Sequence, residues 1–294
     1  GGKWHAQYAR PEQPFVLELG CGKGGFLSQL ACAHPENNYL GIDITDKVLI
    51  LAKRKVEAAY QAADRPIDNV KIMSADIERI HNVIFPEDTV SRVYINFCNP
   101  WSKNGSSHKH RLTYPRQLIQ YRAFLEDGGE IYFKTDDDDL FRDSLEYFPA
   151  SGYEITWKTF DLHENEPEWN IRTEHEGMFT EMGIKIKALI ARKLPGDESV
   201  TWIEPKVLKK MAAAEAAAEA EPGKRELWVK QGTTLVPRYV TAGSASGKLT
   251  EIVDGLNDGE EVAVCLTAER TEPEAAAERS PFMPAPPGGD KKKK

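Results

Sequence analysis

Apolar positions along the first two-thirds of the chain follow two rhythms. Short apolar runs alternate with longer stretches in which apolar residues recur every three or four positions, the patterns of buried strands and amphipathic helices. Phe15-Val16-Leu17-Glu18-Leu19 is a strand pattern that ends in glycines, and Gly25 to His34 then reads as a helix. Tyr39 to Asp43 is a second strand, followed by a long amphipathic helix from Asp46 to Ala63. Val70 to Met73 and Val90 to Phe97 read as strands three and four, and Arg116 to Glu126 as a helix. Gly128-Gly129 precedes a fifth strand, Glu130 to Lys134, and Leu140 to Phe148 is helical. Tyr153 to Phe160 and Ile184 to Arg192 close the series as two strands with no helix-length pattern between them.

This alternation predicts an α/β fold with a seven-stranded, mostly parallel sheet and helices on both faces. The last two strands form a hairpin-like pair, so one edge strand is expected to be antiparallel. Ligands of such sheets sit beyond the carboxyl ends of the strands. The residues that follow each strand are therefore the ones to search for chemistry.

Beyond Leu194-Pro195-Gly196 the pattern changes. An Ala/Glu run within Lys206 to Glu221 predicts a helical spacer. Four short β-like runs follow: Glu226 to Lys230, Leu235 to Thr241, Leu249 to Val253 and Glu261 to Leu266. From Thr267 onward Pro, Ala, Glu and Gly dominate, which predicts disorder. The expected organisation is a catalytic domain over 1–194, a linker over 195–223, a small β module over 224–268 and a disordered tail over 269–294.

Composition narrows the class. Hydrophobic residues make up 40% of the 294, enough for a sizeable core. No apolar run is long enough to span a bilayer and no signal-peptide pattern opens the chain, which predicts a cytoplasmic protein. Gly1-Gly2-Lys3-Trp4 lacks an initiator Met and reads as the interior of a longer chain. Cys21, Cys32, Cys98 and Cys265 form no C-x-x-C pair, which argues against a zinc site and against a disulfide framework. The formal net charge of −8 weighs against a nucleic-acid binder, so any such role must rest on a local basic patch.

The sharpest local signal is Glu18-Leu19-Gly20-Cys21-Gly22-Lys23-Gly24-Gly25. Gly20, Gly22 and Gly25 satisfy G-x-G-x-x-G, so a dinucleotide site is one reading. Glu18, two residues before the first glycine, favours S-adenosylmethionine instead, because a carboxylate there suits the ammonium of that cofactor's amino-acid tail. Asp43 ends the second strand, where an acid accepts hydrogen bonds from ribose hydroxyls. Asp76 follows the third strand and is placed either to accept from an adenine amine or to cap a helix.

Asn96-Phe97-Cys98-Asn99-Pro100-Trp101 ends strand four and resembles the N/D-P-P-aromatic loop of amino- and base-methyltransferases. Asn99 would meet the edge of a base and Trp101 its face. Cys98 precedes the proline, the reverse of the order in enzymes that attack a base through cysteine. Guanine N7 carries a lone pair and no proton, so methyl transfer to it needs no general base and tolerates Asn99. The segment from Ser102 to Thr113, with Lys103, His108, Lys109, His110 and Arg111, joined by Arg116 and Arg122, is the dense cationic cluster of this half and reads as a phosphate-contact surface. A zinc role for His108 and His110 finds no partner ligands nearby in sequence. Asp136 opens an acidic run whose other members, Asp137, Asp138 and Asp139, suit a helix start. Asn170 to Glu176 lies between the last two strands as a polar loop able to read guanine's donor edge.

Taken in order, Gly2-Lys3-Trp4, the Glu18 glycine loop, Gly41-Ile42-Asp43, Asn96 to Trp101, His110-Arg111-Leu112-Thr113, Phe133 to Asp136 and Thr173 to Glu176 resemble the bacterial tRNA (guanine-N7)-methyltransferases. The resemblance covers residues 1–193. It implies a Rossmann-like class I S-adenosylmethionine-dependent fold and methylation of a variable-loop guanosine in tRNA, with no metal and no membrane for the catalytic domain. It implies cofactor contacts from Glu18, Gly20, Gly22, Asp43, Asp76 and Asn99, with Asn99 also at the catalytic position. It implies substrate contacts from Lys103, Asp136, Thr173, Glu174, His175 and Glu176. Many members carry Asp where this chain has Asn99, and a polar, charged segment before Lys3-Trp4. Residues 224–268 resemble instead the membrane-proximal β module of periplasmic efflux adaptor proteins. Two further readings follow: a methyltransferase for another nucleic acid or a small molecule, and a non-catalytic adaptor defined by its tail.

Overall fold

A computed structural model describes residues 2–102, 105–220, 224–246 and 249–263. The expected disordered tail and the second half of the run Glu261 to Leu266 lie outside the described residues.

Seven strands form the main sheet: β1 (Phe15–Leu19), β2 (Asn38–Asp43), β3 (Val70–Ser74), β4 (Val90–Asn96), β5 (Leu125–Thr135), β6 (Tyr153–Thr159) and β7 (Lys187–Lys193). Their order is β3-β2-β1-β4-β5-β7-β6. The first five pair in parallel, and β7 runs antiparallel to both β5 and β6. The antiparallel strand is thus inserted between β5 and β6, with β6 at the rim. Every residue of β1 is buried, as a strand covered on both faces requires. One face packs Leu17, Leu19, Val93, Ile95, Ile131 and Phe133 into the larger core. The other packs Val16 and Tyr94 against Phe26, Leu27 and Leu30 of α1 (Gly25–Ala33) and Val56 and Tyr60 of α2 (Asp46–Ala62).

The chain order reverses at β1, whose neighbours are β2 and β4. That switch point opens a crevice beyond the carboxyl ends of these strands. Between β4 and β7 the described residues form α3 (Pro115–Arg122), α4 (Asp138–Ala150) and α5 (Glu174–Glu181). Asp137 caps α4 through the Leu140 N–H at 2.7 Å, and Asp138 and Asp139 fill its first turn.

Three boundaries differ from expectation. Strand β5 begins at Leu125, because Leu125 pairs with Val90 and the register then shifts before Arg92 pairs with Glu130. Helix α3 consequently ends at Arg122. The segment between β6 and β7 contains α5, since Thr173 and Glu176 form a capping box that starts a helix where the apolar periodicity was too weak to mark one.

After β7 come α6 (Pro205–Ala220) and a second sheet of β8 (Lys224–Gln231), β9 (Thr234–Ser246) and β10 (Leu249–Asp254), all antiparallel, in the order β10-β9-β8. Val262 of the fourth expected run makes a single bridge to Val229.

Candidate active site

The crevice at the switch point is a cleft of about 380 Å³. Glu18, Gly20, Gly22, Asp43, Asp76, Asn99, Thr173, Glu174 and His175 all line it. Residues far apart in sequence are brought together because each lies at the carboxyl end of a strand of the same sheet, follows one, or sits on the segment between β6 and β7.

The glycine loop shapes the floor. Gly24 has φ +72° and begins α1 where a Cβ would come within 2.7 Å of the Ala52 Cβ, so α1 and α2 approach closely only because Gly24 has no side chain. Gly41 plays the same part under the loop, where a Cβ would meet Leu27 at 2.5 Å and the Cys21 sulfur at 3.0 Å. The Gly20 and Cys21 N–H groups both donate to the Ile42 carbonyl, at 2.8 and 3.1 Å. Asp43 is held by two backbone donors, Gly22 N–H at 3.0 Å and Thr45 N–H at 2.9 Å, which fix its carboxylate at the cleft wall.

Glu18 is 3% exposed, yet only one of its oxygens is engaged: Oε1 accepts from Asn96 Nδ2 at 3.1 Å, while Oε2 is buried without a partner. Burial pushes its carboxyl up to about 8, against the lowering effects of the Asn96 hydrogen bond and the Lys134 charge. An unpartnered buried carboxylate oxygen on a cleft wall calls for a cationic or donor ligand. Asp76 caps the short turn Ile77–Asn82 by accepting from Glu78 N–H at 3.0 Å, so one of its oxygens has a structural duty at the cleft edge.

The loop after β4 forms the opposite wall. Asn99 Oδ1 accepts from Trp101 N–H at 3.0 Å, a turn that brings Trp101 to the rim, where it is 40% exposed. Phe97 and Trp101 both carry positive φ, +52° and +51°, which places backbone strain in this wall of the cleft. Trp101 packs on His110 at 5.1 Å, and His110 Nδ1 donates to Glu78 at 2.7 Å. Phe97 stacks on His175 at 6.2 Å. Burial pushes the Cys98 thiol up to about 12, which keeps it out of the thiolate form.

Two expected contacts, Asp136 and Glu176, do not line the cleft, a third lies outside the described residues and a fourth has its hydroxyl engaged. Lys103 lies outside the described residues. Asp136 does not line the cleft; it is half-buried beside it, and burial raises its carboxyl above the usual range. Glu176 is 0% exposed, its carboxylate taken up by Lys134, Asn170 and the Thr173 N–H, so it faces the interior and not the cleft. The Thr173 hydroxyl lines the cleft but already accepts from the Glu176 N–H at 3.0 Å.

The expected cationic surface is also redistributed. Arg111 and Arg122 are buried and bond to backbone carbonyls, Arg111 to Pro100 and Arg122 to Gly152, Leu194 and Gly196. Arg116 and His110 share Glu78, and His108 lies 3.5 Å from Asp143. A long cation in a loop satisfies buried carbonyls as readily as phosphates, and spacing alone does not separate the two uses. Among the described residues, His163, Glu166 and Glu176 bring possible metal-ligand atoms within 4.8 Å of one another, but Arg172 and Lys134 already neutralise the two carboxylates.

Asn96 and Lys134 were not singled out from sequence. A signal existed, since each directly follows a short apolar run, Val93-Tyr94-Ile95 or Ile131-Tyr132-Phe133, near the carboxyl end of its strand.

Comparison with known proteins agrees with this geometry. A protein family described as "Putative methyltransferase" matches residues 12–189. The chain is 53% identical over 193 residues to the tRNA (guanine-N(7)-)-methyltransferase of Clostridium perfringens, covering 66% of this chain and 88% of that protein. It is 54% identical over 192 residues to the protein of the same name in Clostridium beijerinckii, covering 65% and 87%. It is 48% identical over 193 residues to that of Acetivibrio thermocellus, again covering 65% and 87%.

Proposed function

The chain belongs to the tRNA (guanine-N(7)-)-methyltransferase family, and we propose that it transfers a methyl group from S-adenosylmethionine to N7 of a variable-loop guanosine in tRNA. The observation that carries this reading is the cleft at the strand switch point, with the unpartnered Glu18 oxygen on one wall and the Asn99–Trp101 turn on the other.

The residues fit the cofactor. Glu18 would take the ammonium of the amino-acid tail, Asp43 the ribose hydroxyls, and Asp76 the adenine amine through its second oxygen. The bound cofactor supplies an electrophilic methyl group on a sulfonium. The protein's part is alignment: guanine N7 needs no deprotonation, so the chain has to bring a lone pair in line with the methyl and keep it there. Trp101 offers a face for a base, and Asn99 fixes the turn that presents it. Glu174 and His175 stand on the facing wall, where carboxylate and imidazole are suited to the donor edge of guanine. Methylation leaves positive charge on the imidazole ring of the base, which the carboxylates around the cleft would stabilise. A tRNA substrate implies work in the cytoplasm, and among the described residues no helix is long and apolar enough to cross a membrane.

The test is methyl transfer from labelled S-adenosylmethionine to an unmodified tRNA transcript, followed by nucleoside analysis. Label in 7-methylguanosine that disappears when the variable-loop guanosine is replaced is the expected result. Cofactor binding without transfer to any tRNA would overturn the acceptor assignment.

A further inference from the structure

The backbone of Trp101 is held more firmly than its ring. Asn99 accepts from the Trp101 N–H, and Arg111 donates to the carbonyl of Pro100 just before it. These contacts set the turn but leave both side-chain torsions of Trp101 open. Among the described residues, the one ring against the indole is that of His110, 5.1 Å away and tilted at 44°. That imidazole therefore bears directly on how the indole face lies over the cleft.

His110 is held in turn from the end of another strand. Its Nδ1 lies 2.7 Å from Oε1 of Glu78, in the turn Ile77–Asn82 beyond β3. A carboxylate only accepts, so Nδ1 carries the hydrogen and the ring is fixed in tautomer and direction. The second oxygen of Glu78 accepts from Arg116 Nη2 at 3.4 Å, and the same nitrogen donates to the Lys109 carbonyl at 3.2 Å, one residue before His110. Glu78 thus grips the returning end of the loop by a side chain and by its backbone. It is itself well anchored: its N–H donates to Asp76 Oδ1 at 3.0 Å, and its carbonyl accepts from Gln120 Nε2 of α3 at 3.3 Å. Glu78, His110 and Trp101 all line the cleft. A continuous series of contacts runs from Asp76 through Glu78 and His110 to Trp101.

We propose that Glu78 is a positioning residue for the acceptor base, fixing the plane of Trp101 through His110. This rests on the reading of Trp101 as the face on which that base lies. In-line transfer requires the acceptor lone pair to meet the methyl group within a narrow angle, and a ring free to swing would spread the base over many poses. The turn that carries Asp76 on the cofactor side also sets the stacking wall on the acceptor side, so one rigid element serves both partners of the reaction.

Kinetics in two backgrounds test the proposal. Glu78→Ala should lower kcat/KM for tRNA by about fivefold or more, a share of what one base–aromatic stack contributes. His110→Phe keeps a ring against the indole but offers Glu78 no N–H, and should lose a similar factor. Glu78→Gln retains an oxygen that accepts the same hydrogen and should recover most of the loss. In a Trp101→Ala background Glu78→Ala should cost nothing further, because the ring it places is gone. A merely structural role for Glu78 would cost the same factor in both backgrounds, and that result would overturn the proposal. So would full activity in Glu78→Ala or His110→Phe. An unchanged kcat/KM in Trp101→Ala alone would instead remove the stacking reading on which the proposal rests. Fluorine NMR of the full chain carrying 5-fluorotryptophan reads the ring without any acceptor. The Trp101 line, identified by its loss in Trp101→Phe, should move in Glu78→Ala and hold its place in Glu78→Gln. An unmoved line in Glu78→Ala would overturn the positioning role whatever the substrate proves to be.

Discussion

The Nε of Arg111 donates to the carbonyl of Pro100 at 2.6 Å from a side chain that is completely buried. Another of its nitrogens pairs with Asp143 in α4. Arg111 thus ties the strained turn that presents Trp101 to a helix on the flank of the sheet. Positive φ at Phe97 and Trp101 costs on the order of 1–3 kcal/mol each and persists only where surrounding contacts over-determine the backbone.

Arg111→Met should accordingly lower stability by about 2 kcal/mol, the scale of hydrogen bonds to a charged donor, with Asp143 free to rehydrate. Methyl transfer should fall further than stability alone explains, because the turn relaxes. Arg111→Lys restores one cationic donor but not the fork, so it should recover stability better than kcat. Thermal melts alongside steady-state kinetics measure both; equal loss of kcat and folded fraction would show that the turn needs no such tie.

Glu18 gives the cleft a pH dependence with a definite sign. Burial holds its carboxyl up to about 8, so below that pH it carries a proton in the free protein. A tail ammonium prefers the ionised form, and binding must release that proton. Affinity for S-adenosylhomocysteine should weaken as pH falls below about 8, approaching tenfold per pH unit between about pH 6 and pH 8. Glu18→Gln should abolish the slope while leaving methylthioadenosine binding intact. Asp43→Ala should weaken both ligands, by about 10- to 100-fold for lost hydrogen bonds to a charged acceptor. Calorimetric titration across this range decides it.

Trp101 is exposed where most large aromatic residues of this domain are buried, and its ring lies tilted at 44° to that of His110. Trp101→Ala should leave the melting temperature nearly unchanged. It should reduce kcat/KM for tRNA by about 5- to 100-fold, the range of one base–aromatic stack. Unchanged kcat/KM would remove Trp101 from the substrate path.

What could be read before the structure was whatever is local along the chain. The β-α alternation, the glycine loop and the acid ending β2 are patterns of near neighbours, and each sits where its spacing implied. Partner choice across the sheet is not local. The spacing from Thr173 to Glu176 fits a capping box, but nothing local says that Glu176 is buried on Lys134 while Glu174 stays exposed and pairs with Lys55. Similarly, the cationic run from Lys109 to Arg122 looks uniform, but α3 turns Arg122 inward and leaves Arg116 outside. The insertion of β7 between β5 and β6 depends on pairings separated by some fifty residues, for example Thr135 with Lys187.

The same non-local contacts bear on where the catalytic unit ends. Arg122 bonds to the carbonyls of Leu194 and Gly196, Thr201 and Trp202 donate their N–H groups to the Ala150 carbonyl at 2.9 Å, and Ser151 bridges Val200. The Trp202 ring packs edge-on against Tyr114 and Tyr147, at 5.5 and 5.8 Å. A chain cut after Leu194 keeps the Leu194 acceptor but loses the contacts of Gly196, Val200, Thr201 and Trp202, leaving Arg122 buried with fewer acceptors, a penalty of about 1–3 kcal/mol for each charged donor left unmet. It should melt several degrees lower and lose activity in proportion. A chain cut after Glu204 keeps the contacts, discards α6 and the second sheet, and should retain full stability of the domain and full methyl transfer. Equal melting temperatures for the two truncations would move the boundary back to Leu194. Loss of transfer in the longer one despite an unchanged melting temperature would make α6 or the β module part of the working enzyme.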